Sequence, residues 1–152
     1  MAKAHTADPP FVGRFVFTVD GITIGAFTEV SGLSVQLEVE EFAEGGQNAY
    51  THRLLGRMKW PNLVLKRGIT DSDALFAWLA ECSGEGLTRK GNKVVPRDGE
   101  VSVVDGKGSP VRRWHFTGAK PVKWSGPRFA ASSRELAVEE LEVCHLGFRT
   151  KP

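Results

Sequence analysis

The sequence predicts a mainly β protein: an antiparallel β-sandwich or barrel with one flanking α-helix over about residues 71–83. Three observations carry this. Six to eight segments show strand patterning, only one shows a helical apolar stripe, and turn signals such as Asp20-Gly21 and DGKGSP separate them. A chain of 152 residues is one domain on length alone, large enough to hide roughly 68–70% of its unfolded surface. Residues 1–10, ending in Pro9-Pro10, read as a flexible N-terminal arm, and residues 11–152 as the single domain.

The elements follow in order. In RFVFTVDGITIG, Phe15, Phe17 and Val19 alternate with Arg14, Val16 and Thr18, the period of a half-buried strand. Asp20-Gly21 is a two-residue hairpin turn, and Ile22 and Ile24 begin the return strand. Farther on, Leu33, Val35, Leu37 and Val39 share one face of a strand, and Ser34, Gln36, Glu38 and Glu40 the other. Phe42 falls out of this phase, which predicts a bulge at Glu40-Glu41. From about Ala43 to Arg57 the chain reads as a long polar excursion, and loops of that length usually have a task. KWPNLVLKR follows as a strand, whose Pro61 belongs at an edge or a bulge because it donates no ladder hydrogen bond.

TDSDALFAWLAECSG is the helix. Thr70 or Asp71 caps it, Leu75, Trp78, Leu79 and Cys82 form its buried face, and Gly84 or Gly86 ends it. Residues 84–99, rich in Gly, Lys and Arg, read as a surface loop. Val101–Val104 and Val111–Thr117 pair across the DGKGSP turn, and GAKPVKWSGP continues extended with a proline break. In the last strand, SRELAVEELEVCHLGF, Leu136 and Val138 stand in one phase and Leu141 and Val143 in the other. That slip predicts a second bulge at Glu139-Glu140.

Composition and spacing exclude most chemistry. Apolar residues make up 41% and charged residues 25%, as in an ordinary globular domain, and a net charge of +2 is too small to argue for nucleic acid or an anionic membrane. Basic residues Arg53, Arg57, Lys59, Lys66 and Arg67, with Tyr50 and Trp60 among them, would suit a small β-barrel nucleic-acid-binding module. Trp60 beside Pro61 nevertheless fits a core or interface better. Cys82 and Cys144 belong to no CxxC pair and read as free thiols rather than zinc ligands. His5, His52, His115 and His145 are scattered without a metal-binding spacing, and no phosphate loop or nucleophile elbow is present. The carboxylates Glu38, Glu40 and Glu41, and Glu139, Glu140 and Glu142, alternate with apolar residues as on a solvated strand face, not as a catalytic pair. The expectation is no enzyme, no catalytic residue, no cofactor and no metal. No apolar run approaches membrane-spanning length, and the N-terminus lacks a signal-peptide core, so synthesis in the cytoplasm is expected.

Four stretches, FVFTVDGITIGAFTEVSGL, YTHRLLGRMKWPNLVLKRGITDSDALFAWL, VRRWHFTGAKPVKWSGP and ELAVEELEVCHLGF, together resemble the tail tube protein family of contractile phages and extracellular contractile injection systems. The likeness keeps its order over roughly residues 11–148 and extends to the type VI secretion tube protein. It implies a structural subunit whose strands join an inter-subunit barrel in a homo-hexameric ring. Stacked rings would form the hollow inner tube of a phage tail or injection system, driven through a target envelope by sheath contraction. Implied partners are the contractile sheath protein, baseplate and cap proteins, and a cargo of effector protein or DNA in the lumen. Implied too is assembly in the cytoplasm into a phage tail-like particle released by lysis. A baseplate tube-initiator or adaptor subunit resembles the same family.

Within that frame the sequence offers two surfaces. Gln36, Glu38, Glu40, Glu140 and Glu142 are expected to face the lumen, with the apolar faces of their strands packed on the sandwich core. The excursion, through Gly45, Gly46, Asn48, Tyr50, His52, Arg53 and Arg57, is expected to be a ring-stacking loop. Gly45 and Gly46 would turn it away, and His52, Arg53 and Arg57 would meet acidic groups across the joint.

Overall fold

A computed structural model of the chain describes residues 13–46, 49–84, 91, 97–128, 131–132 and 137–151. The N-terminal arm and Leu136 lie outside them. The described elements are β1 (Arg14–Val19), β2 (Ile22–Phe27), β3 (Glu29–Ser31), β4 (Gln36–Phe42), β5 (His52–Lys59), β6 (Leu63–Gly68), α1 (Ala74–Glu81), β7 (Arg97–Val104), β8 (Pro110–Ser125), β9 (Val138–Cys144) and β10 (Phe148–Lys151). All strand pairs are antiparallel.

The main sheet runs β2-β1-β7-β8-β9-β6-β3, with β10 also on β8. Its spine is β8, 16 residues long. The first part of β8 pairs with β7 and β10, and its end pairs with β9. The sequence suggested a strand ending at Thr117 and an extended continuation with a proline break. The strand instead absorbs the proline at a register shift between Pro121 and Lys123, a place where a missing N–H costs no ladder bond. The two ends of the sheet are neighbours in sequence, since β2 and β3 are separated only by Thr28, whose N–H donates to the Lys66 carbonyl at 2.9 Å. The sheet therefore curls around one core, although β2 pairs only with β1 and β3 only with β6, so hydrogen bonding does not close a barrel.

The curl encloses Phe17, Val19, Ile24, Phe27, Leu63, Leu65, Val101, Phe116, Ala119, Leu141 and Val143. Helix α1 covers this core with Leu75 and Trp78, the latter ring 5.7 Å from that of Phe17, while Leu79 and Cys82 are half-buried at its margin. The helix starts later than the sequence suggested. Asp73 occupies the N-cap without a side-chain bond, while Thr70 Oγ1 accepts from Ser72 N–H at 2.9 Å and spends its capping capacity on a preceding turn. The Asp20-Gly21 turn forms as expected, with positive φ at both residues (49° and 77°).

Three further expectations change. The predicted excursion is shorter, because His52–Lys59 pair with β4 as a strand and only residues 43–51 link the two. The predicted bulge at Glu40-Glu41 is absent. The irregularity lies between Leu37 and Val39, where Leu37 faces Met58 and Val39 faces Leu55, so the extra residue is on β5. Phe42 keeps the strand period instead and stacks on His52 at 5.0 Å. The predicted bulge at Glu139-Glu140 is absent as well. β9 pairs with β6 in unbroken register from Leu63↔Val143 to Gly68↔Val138. Glu139 turns inward in line with Leu141 and Val143, and Val138 is left 42% exposed.

Candidate functional site

β4 and β5 form a two-stranded sheet of their own, joined to no strand of the main sheet. Gly32, with φ of +90°, sits where the chain leaves β3 toward this hairpin. A Cβ there would lie 2.2 Å from the Asn62 carbonyl oxygen, so only glycine lets the two segments pass. Directly paired residues share a face, which puts Leu37, Val39, Leu55 and Met58 together. All four are open to solvent, at 41%, 51%, 71% and 52%. The apolar face expected to pack on the sandwich core is left exposed among the described residues. A hairpin holds a separate two-stranded sheet only marginally in water, and an apolar patch of this kind marks an interaction surface.

Of the lumen candidates, Gln36, Glu38 and Glu40 lie on the opposite face of β4, where Lys59 reaches Glu38 at 2.8 Å and Leu54 stands across from Glu40. Glu140 and Glu142 lie on the outer face of β9, alternating with the buried Glu139, Leu141 and Val143. Lys66 approaches Glu140 at 3.8 Å, and Asn62 Nδ2 donates to Glu142 at 2.9 Å. The two groups thus stand on two different sheets, each mixed in charge rather than purely acidic.

Of the stacking-loop candidates, Gly45 and Gly46 form the turn at the hairpin tip, Gly46 with φ of +84°, and Asn48 lies outside the described residues. Tyr50 is exposed and meets His52 edge-on at 5.2 Å. His52 contacts Glu44 at 2.9 Å, and Arg53 pairs with Glu41 at 3.2 Å, so these two side chains have acidic partners inside the hairpin. Arg57 is exposed near the irregularity.

Sequence reasoning missed one constellation. Arg67 and Glu139, 3% and 6% exposed, pair inside the core through Arg67 Nε and Glu139 Oε1. Trp124 Nε1 donates to Glu139 Oε2 at 3.2 Å, and the guanidinium lies 5.0 Å from the Phe27 ring centre. Gly25 makes room for it, since a Cβ there would stand 2.1 Å from Arg67 Nη1. The signal was available. Continuing Leu63, Leu65 by two reaches Arg67, and continuing Val143, Leu141 back by two reaches Glu139. Cys82 and Cys144 form no disulfide. Among the described residues no cluster of His, Cys, Asp or Glu is gathered for a metal, and no helix is long and apolar enough to cross a membrane.

The family model of T4-like virus tail tube protein gp19 matches residues 13–149. Solved structures share the fold. A chain of the sheath–tube complex of the PVC extracellular contractile injection system, in its extended state, superposes with a TM-score of 0.77 at 24% identity, over 96% of this chain and 93% of that one. A chain of the sheath/tube terminator of that system gives 0.76 at 25% identity, over 95% and 97%. A type six secretion system protein is more distant, at 0.54 and 12% identity, over 90% and 82%. None of the curated proteins matches the sequence.

Proposed function

The chain belongs to the T4-like virus tail tube protein gp19 family and is a structural tube subunit; from that premise we propose how it builds the tube. Copies associate as a homo-hexameric ring, rings stack, and the β4–β5 hairpin is the element through which one copy engages another. The observation that carries this is the exposed face of Leu37, Val39, Leu55 and Met58 on a hairpin that the subunit's own sheet leaves unpaired. Covering what remains exposed of each side chain is worth on the order of 1 kcal/mol, and a repeating copy supplies such a cover at every subunit. Open strand edges argue the same way, because pairing with a sibling removes an aggregation hazard. Head-to-tail contacts repeated along an axis build a tube rather than a closed pair.

In this assembly Gln36, Glu38 and Glu40 on the hairpin, and Glu140 and Glu142 on β9, line the channel, while the tip around Gly45, Gly46, Asn48, Tyr50, His52 and Arg53, together with Arg57, meets the next ring. The sheath protein, the baseplate and a cap are the partners, and effector protein or DNA is the cargo. The subunit works inside a phage tail or an extracellular injection particle, assembled in the cytoplasm and released by lysis. It performs no chemistry and needs no cofactor; its action is geometric. The test is substitution of Val39 and Leu55 by lysine. The variant is expected to stay folded, because neither side chain touches the core, and to form neither rings nor tubes by electron microscopy. Tubes of ordinary length from it would overturn the proposal.

A further inference from the structure

We propose that Arg67 selects between two forms of β9 that the sequence encodes about equally well, holding the strand straight where its apolar pattern asks for a bulge. Val138 stands out of phase with Leu141 and Val143. A one-residue bulge at Glu139-Glu140 would carry Val138 into the core and release both glutamates to the surface. The observed strand does the reverse. It buries Glu139 beside Arg67 and leaves Val138 exposed, with Gly68 opposite Val138 and Arg67 opposite Glu139. Exposing an apolar side chain and burying a carboxylate are both unfavourable, so something must offset them.

The offset is a site shaped for one guanidinium. Arg67 Nε binds one oxygen of Glu139, and Trp124 Nε1 binds the other. The Phe27 ring lies beneath the cation, and the missing side chain of Gly25 leaves the space that Nη1 fills. Nη2 is buried and finds no partner among the described residues. The cation is therefore incompletely satisfied, which marks the pair as a device for specifying one arrangement more than for adding net stability. Its consequence lies on the outer face. In the straight strand Glu140 and Glu142 stand two residues apart on one side, against Lys66 and Asn62. Arg67 and Glu139 are positioning residues for that face. This inference stands whether or not the hairpin joins copies.

The test reads register directly, in the full chain with Cys82 and Cys144 replaced by alanine. Gly68→Cys fits, because a Cβ at Gly68 meets nothing within 4 Å. Paired with Val138→Cys it reports the straight strand, and paired with Ala137→Cys the bulged one, since only directly opposed residues come within disulfide reach. With Arg67 present, the 68–138 disulfide is expected to form and the 68–137 disulfide to stay open. Arg67→Met is expected to shift the register by one residue, so that 68–137 closes. Adding Glu139→Leu to Arg67→Met is expected to reopen it, because an apolar residue at 139 suits the straight strand without a cation. Failure of 68–137 to close in Arg67→Met overturns the proposal, and so does failure of that variant to fold, since a bulged alternative is what the proposal asserts. A merely structural role would lower stability and leave the register unchanged.

Discussion

At the scale of single residues the buried Arg67–Glu139 pair leaves no room for added volume beside it. Gly25→Ala forces a methyl group to within 2.1 Å of Arg67 Nη1, and overpacking of this kind costs about 1–3 kcal/mol. The loss is expected in urea or thermal unfolding of the variant, and it should largely vanish when Arg67→Met and Glu139→Leu are present, because the clashing group is then gone. His145 gives a pH dependence. Burial, the largest influence, holds its imidazole below the ordinary value of 6.5, against opposing hydrogen bonds with Pro61 and Gly147. The unfolded chain then takes up a proton before the folded one does. The stabilisation is fully present above the unfolded value and is lost as pH falls through the lowered folded value. Unfolding midpoints measured downward from neutral pH should therefore fall, and fall less steeply in His145→Gln.

At the scale of elements, legibility in the sequence followed the regularity of the apolar period. Phe15, Phe17 and Val19 with the Asp20-Gly21 turn gave away the first hairpin, and Leu75 with Trp78 gave away the helix, because each face is buried by the subunit itself. β5 was hidden. Leu54 and Leu55 are adjacent, Gly56 interrupts, and the irregular pairing with β4 spoils the alternation. The extra residue on β5 puts Leu55 and Met58 three apart on one face, so no period of two is there to reveal. β9 misled for the opposite reason, since a buried ion pair put charged residues where the period expects apolar ones. Four of the five lumen candidates were glutamates chosen for alternation, and alternation did place Glu140 and Glu142 outward. What it lacked was any way to see that Leu37 and Val39 face away from their own core. Shortening the hairpin tip by removing residues 44–50 leaves β4 and β5 intact. On the proposed assembly this yields rings that fail to stack, seen as isolated annuli in electron micrographs.

At the scale of the whole molecule, one curled sheet with a buried core supports a second, two-stranded sheet that it does not bury. The first buries an apolar core of its own. The second exposes apolar side chains and open edges, which are hazards in a lone subunit and sound in a repeating wall. On the proposed assembly fold and function divide accordingly, with stability in the core and association in the β4–β5 hairpin. The most direct measurement is electron microscopy of the purified full chain beside its Val39→Lys, Leu55→Lys variant, with circular dichroism to confirm that both are folded. The account predicts uniform rings or tubes from the parent and folded single subunits from the variant. Rings or tubes that survive the substitution, or a parent that stays monomeric at high concentration, would contradict it.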